Sequence, residues 1–157
     1  MQDSARTVEA QMLIRKPAAT VFQAFIDPAL TKNFWFTNAS GSLEEGKTVT
    51  WEWEMYGVST MVSVQQIVPS EKIVIHWGEP STTVEFIFKP VTENSTYVII
   101  KNYGFDQPAE ELLPLFKDLT GGFTTVLDGL KAFLEHNINL NLIADKFSAG
   151  EADHKQP

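Results

Sequence analysis

A change of hydrophobic period constrains this chain more than any other feature. Between Thr48 and Tyr103 apolar residues recur at every second position through five segments with short, turn-rich connections; from Leu112 they recur at three and four. Period two with short connections selects an antiparallel meander, and the later stripe selects one long helix packed on it. In the meander Val49, Trp51, Trp53 and Met55 share a face, as do Ile73, Ile75 and Trp77, then Val84, Phe86 and Phe88, then Val98, Ile100 and Asn102. Leu112, Phe116, Leu119, Phe123, Val126, Leu130, Phe133 and Leu134 predict a helix from about Leu112 to Leu134.

Ahead of the meander, Val8, Ala10, Met12 and Ile14 alternate as a strand with one wet face. Pro17 opens a helix carrying Val21, Phe22 and Phe25, because proline suits the first helical position. Asp27-Pro28 breaks it, and a second short helix from Pro28 to Asn33 delivers Phe34, Trp35 and Phe36. Pro90 is expected to close its strand, and Pro114 either sits in the first turn of the long helix or ends a short one before it. Gly121-Gly122 inside the stripe costs about 1 kcal/mol per glycine, so a close approach to the sheet is expected there. Ile138, Leu140 and Leu142 alternate again, which leaves open an edge strand, a helix extension or contact with a second copy in a homodimer.

The fold class that follows is α+β: a curved antiparallel sheet wrapped around a long C-terminal helix, a helix-grip plan with two short helices after the first strand. The expected organisation is a single domain over residues 1–147 and a polar tail over 148–157. At 157 residues one core is the default. With 12 Lys plus Arg against 20 Asp plus Glu, the net charge of -8 repels phosphate backbones, so nucleic acid is not an expected partner. The chain holds no cysteine, which removes disulfides and thiolate chemistry. Its start lacks a secretory pattern and no run is long enough to insert in a membrane, so a cytoplasmic location is expected.

Particular residues carry a family likeness. Pro17-Ala18-Ala19-Thr20-Val21-Phe22, Phe25-Ile26-Asp27-Pro28, Phe34-Trp35-Phe36, Gly46, Lys72 through Trp77, Val84-Glu85-Phe86 and Tyr103-Gly104-Phe105 resemble the START-like (SRPBCC, Bet v 1-like) superfamily. The branch they resemble is that of the activator of the 90-kDa heat-shock protein ATPase. The likeness spans roughly Thr7 to Glu135. Asn102 stands where many members have histidine, and Gly122-Phe123 where they have Gly-Trp. The resemblance implies a helix-grip fold, a small, largely apolar ligand, and no cofactor. As alternatives it implies a chaperone partner with a stress-response role, or a cyclase- or hydrolase-type enzyme. The last needs an inward acid or base, which Asn102 does not supply.

The expected cavity between sheet and helix is lined by Trp51, Trp53, Trp77, Phe86, Asn102, Phe116 and Phe123, with Trp35 and Phe36 as a lid or plug and Glu79 at the rim. Each apolar residue is also explained as plain core, and Glu79 as a solvated turn residue. No catalytic residue is assigned. Alternation turns His76, Glu52 and Glu85 outward; His136 ends the long helix and His154 lies in the tail, a scatter that suggests no metal site.

Overall fold

The computed structural model describes residues 6–147; residues 1–5, the 148–157 tail and His154 lie outside them. In chain order the elements are β1 (Val8–Ile14), α1 (Ala18–Ile26), α2 (Pro28–Thr31), β2 (Asn38–Ala39), β3 (Thr48–Trp53), β4 (Val58–Val68), β5 (Lys72–Trp77), β6 (Thr82–Thr92), β7 (Ser95–Tyr103), α3 (Ala109–His136) and α4 (Leu142–Asp145). The strands form one antiparallel sheet in the order β1-β7-β6-β5-β4-β3-β2. The first strand pairs with the last, from Val8 opposite Asn102 to Ile14 opposite Thr96, so β1 and β2 occupy opposite edges. α1 and α2 carry the chain between those edges. The α+β helix-grip plan is as expected, with the curved sheet holding α3. Among the described residues no helix is long and apolar enough to cross a membrane.

Parity decides which side chains face α3. Val62 and Val64 of β4 point inward, and a bulge between Val64 and Gln66 then shifts the inward set to Ile67, opposite Ile73. An extra residue of this kind bends its strand, which suits a sheet that must curve around a helix.

Four expectations need correction. β3 stops at Trp53; Glu54–Tyr56 form a 3-10 turn and Met55 is 40% exposed. The reason is a hydrogen bond from the Glu54 N–H to Thr37 Oγ1 (2.9 Å), which draws the chain off the ladder before Gly57 turns it at φ 63°. β6 runs through Pro90 to Thr92, because β5 pairing ends at Lys72–Ile87 and a missing N–H beyond that point breaks no ladder bond on that side. α3 begins at Ala109, with Pro114 in its second turn and Glu110 and Glu111 in the first turn, where the helix dipole favours acids. After α3, Asn137 and Asn141 take left-handed conformations (φ 54° and 57°), so the segment is neither edge strand nor helix extension but a loop leading into α4.

A close approach on α3 is made at Gly129, to Phe34. A Cβ there would lie 3.2 Å from Phe34 Cβ and 3.4 Å from its carbonyl oxygen, whereas one at Gly121 would meet only Lys146 Nζ at 3.7 Å. The end of α3 is tied to β1 by Lys131, whose ammonium donates to Leu13 O (2.9 Å) and to Glu135 (2.7 Å). The Arg15 N–H donates to the same Glu135 oxygen (2.8 Å). Burial alone would push the Glu135 carboxyl up, but these two hydrogen bonds and the charges of Lys131 and Arg15 hold it below its ordinary value.

Gly121→Ala gains helix propensity of up to about 1 kcal/mol and raises the melting temperature. Gly129→Ala gains the same propensity but strains against Phe34 backbone atoms that cannot swing away, so it lowers it, overpacking typically costing about 1–3 kcal/mol. A depressed carboxylate stabilises the fold above its unfolded pKa and loses that contribution as pH falls through the folded one. Glu135→Gln therefore lowers stability at neutral pH, and urea titrations should show the gap to wild type closing in acid, below the carboxyl's ordinary value of 4.5.

Candidate functional site

Trp35 is held by short-range bonds before any ring touches it. The Thr31 hydroxyl, fully buried, donates to Ala24 O (2.6 Å) and locks α2 onto α1. The N–H groups of Phe34 and Trp35 then donate to Thr31 O, and Thr37 N–H reaches Glu52 O on β3 (2.8 Å). Between those anchors the Trp35 side chain points inward under the sheet and is buried.

There it meets rings from every layer. Its centroid lies 5.0 Å from Trp51, 5.8 Å from Phe86, 5.9 Å from Trp77, 6.3 Å from Phe123 and 6.5 Å from Trp53, mostly in edge-to-face contact. Phe36 tilts against Trp51 at 4.9 Å, and Phe123 of α3 stacks on Trp77 at 5.9 Å. All three indoles read as inward from alternation are buried, as are Trp35, Phe36, Phe86 and Phe123. The space between sheet and α3 is thus occupied by ring-on-ring packing, with Trp35 and Phe36 as its filling. Phe25 of α1 belongs to the same cluster, 5.1 Å from Phe86 and 6.4 Å from Trp35; its place on the apolar side of α1 was the available signal.

Two of the expected residues stand apart. Phe116 is half-buried and packs edge-on against Phe105 at 5.1 Å. Glu79 is exposed in the turn between β5 and β6. His76 and His136 are exposed as expected, and Glu85 accepts a hydrogen bond from the Tyr103 hydroxyl on the sheet's outer face.

Asn102 faces inward and is 1% exposed. Its NH2 donates to Thr83 O (2.8 Å) and Thr82 Oγ1 (3.0 Å), and because a carbonyl only accepts, the orientation of the amide is fixed. That leaves Asn102 Oδ1 buried with no partner, together with the indole N–H of Trp35 and of Trp53. Buried polar side chains in folded proteins nearly always have a partner. The buried polar residues among those described are Thr31, Thr96 and Asn102, none of which titrates near neutral pH. The interior therefore offers shape and hydrogen bonds.

The family model for "Activator of Hsp90 ATPase homolog 1-like protein" matches residues 15–135. The chain belongs to this family. No curated protein sequence matches it. A crystal structure of a Staphylococcus saprophyticus protein is 26% identical, with a TM-score of 0.76 over 85% of this chain and 95% of that one. An Hsp90 activator from Plasmodium falciparum shares the fold at 18% identity and TM-score 0.68, over 83% and 96% of the two chains. So does the Aha1 dimer from Colwellia psychrerythraea, at 18% identity and TM-score 0.70 over the same shares. The START-like assignment in the Hsp90-activator-homologue branch holds, and the family match ends at Glu135, within the last turn of α3.

Replacing Trp35 tests its place at the centre of the cluster. Trp35→Ala should cost about 3–5 kcal/mol in urea unfolding and abolish most of the near-UV circular dichroism, since its neighbours are the other three tryptophans.

Proposed function

We propose that this member of the family binds a small, largely apolar molecule between the sheet and α3, against Trp51, Trp53, Trp77, Phe86 and Phe123. Trp35 and Phe36 act as a plug that moves aside. The observation that carries the reading is that, of the four buried side-chain polar atoms without partners among the described residues, three belong to the expected site residues Trp35, Trp53 and Asn102: Trp35 Nε1, Trp53 Nε1 and Asn102 Oδ1, the fourth being Gln107 Oε1. Each costs about 1–3 kcal/mol when left unmade, a penalty that a purely structural core avoids with phenylalanine or leucine. A ligand with an apolar body and one hydroxyl group meets both needs, accepting from an indole and donating to Asn102. Entry parts edge-to-face ring contacts worth about 0.5–1.5 kcal/mol each, within reach of the binding energy of such a ligand.

The experiment is a thermal-shift and tryptophan-fluorescence titration with long-chain alcohols and the matching alkanes. An alcohol near a hundred times its Kd should stabilise the fold by about 2.7 kcal/mol, with a change in tryptophan emission. Asn102→Leu should weaken the alcohol and spare the alkane. A melting temperature unmoved by every compound would end the proposal.

A second reading is supported by the family itself, whose description is of an Hsp90 ATPase activator homologue, and by the likeness to the Plasmodium protein described as an Hsp90 activator. In it the acidic surface, net charge -8, steers the chain to a basic patch on a chaperone, and a dimer like the one described for the Colwellia protein is the assembly to look for. Stoichiometric co-purification of a chaperone, with stimulated ATP hydrolysis, supports it; an unchanged hydrolysis rate at saturating protein removes it.

A further inference from the structure

Where the family match stops, the chain continues through a short loop into α4, and this segment bridges the same two elements as the aromatic plug. The plug runs from α3 to β3. Phe34 packs on Gly129 and Phe133 at one end; at the other Phe36 lies on Trp51 and the Thr37 N–H donates to Glu52 O. The segment after α3 reaches the turn that follows β3, where the Tyr56 hydroxyl donates to Ile143 O and the Tyr56 ring meets Phe147 edge-on at 6.0 Å. Between the two layers lies a partly open cavity of about 120 Å³, lined on the plug side by residues 32–35 and Thr37 and on the outer side by residues 139–144.

That space is too small for the plug to swing into. A cavity of roughly 150 Å³ accommodates benzene, and an indole is larger. Inward, Trp35 is enclosed by the rings of Trp51, Trp77 and Phe123, so it leaves its place only outward and only after the covering segment lifts. The attachment of that segment suits such a movement. Residues 136–141 are exposed, and Asn137 and Asn141 make the left-handed turns at which the chain changes direction (φ 54° and 57°). Within 138–147 the one buried residue is Ile143, and a segment held by few buried apolar contacts opens more readily than the core beneath it.

We propose that residues 138–147 are a lid on the interior site, hinged at Asn137 and latched by the Tyr56 hydroxyl, whose lifting lets Trp35 and Phe36 move aside for a ligand. The inference rests on the interior binding proposed above and adds to it the route of entry and the step that limits its rate. Because the latch closes over the empty and the occupied interior alike, it sets how fast a ligand enters and leaves without changing its affinity.

The test compares the full chain with Tyr56→Phe, which removes the latch hydroxyl and keeps its ring. Loss of one net hydrogen bond should raise the open population about two- to tenfold. Stopped-flow tryptophan fluorescence with decanol should then show association and dissociation both faster by that factor, with Kd unchanged. Hydrogen exchange of the Trp35 indole N–H, followed by NMR without ligand, should quicken to the same extent, since that group is buried and shielded by exclusion of water. Ile143→Ala, which loosens the buried anchor, should move both readings further in the same direction. Leu113→Ala, 67% exposed near the start of α3, should move neither. Decanol rates and indole exchange unchanged in Tyr56→Phe and Ile143→Ala overturn the lid and leave interior binding standing, as does a weaker Kd with no gain in either rate. If decanol fails to bind the unaltered chain, the interior reading fails by itself, and indole exchange decides whether the segment guards the interior: faster exchange in the two variants supports the lid and unchanged exchange overturns it.

Discussion

The hydroxyl of Thr31 holds the position on which the aromatic interior depends. By donating to Ala24 O it fixes the angle between α1 and α2, and the carbonyl of the same residue receives the N–H groups of Phe34 and Trp35. The three aromatic residues after α2 are thereby aimed in different directions: Phe34 toward Gly129 and Phe133 on α3, Trp35 into the centre, and Phe36 onto Trp51. A helix-grip sheet closes on α3 from one side; this short aromatic bridge closes it from the other. Gly129 is the counterpart of that bridge on α3, since only a residue without a side chain lets Phe34 come so near.

The sheet was readable from sequence because antiparallel pairing keeps a strict parity, and one large inward residue per strand, such as Trp51, Trp77, Phe86 or Ile100, marks it. The parity reading failed where a bond to a distant part of the chain outcompeted the ladder. Met55 continues the alternation of Trp51 and Trp53, yet Thr37, far back in the chain, captures the N–H of its neighbour Glu54. No local pattern announces such a partner. The loop after α3 is a different kind of miss. Its alternating isoleucine and leucines look like a strand, but Asn137 just before them and Asn141 among them take the left-handed conformation, which asparagine is among the few residues to tolerate. Giving the asparagines more weight than the leucines would have found the turn.

The inward residues were legible in sequence; their mutual packing was not. Alternation places Trp51, Trp53 and Trp77 on one face but is silent on whether the space in front of them is vacant or occupied, because the occupant, Trp35, comes from a segment with no period at all. Its depth in the core follows from the Thr31 anchor and from the hydrogen bond of Thr37 to β3, both of which are tertiary.

On the proposed binding role, the polar atoms inside narrow the kind of molecule this interior would take. Asn102 uses both amide hydrogens on β6, so that only its acceptor remains, while the two unpaired indoles can only donate. A charged ligand would find no buried counter-ion among the described residues, and burying a bare charge costs far more than a single hydrogen bond returns. A pure hydrocarbon would leave all three atoms as they stand. What remains is a neutral molecule with one small polar end. For the proposed ligand, the Asn102 amide presents an acceptor that does not change with pH in the physiological range, whereas a histidine would bring a group that titrates near neutral pH.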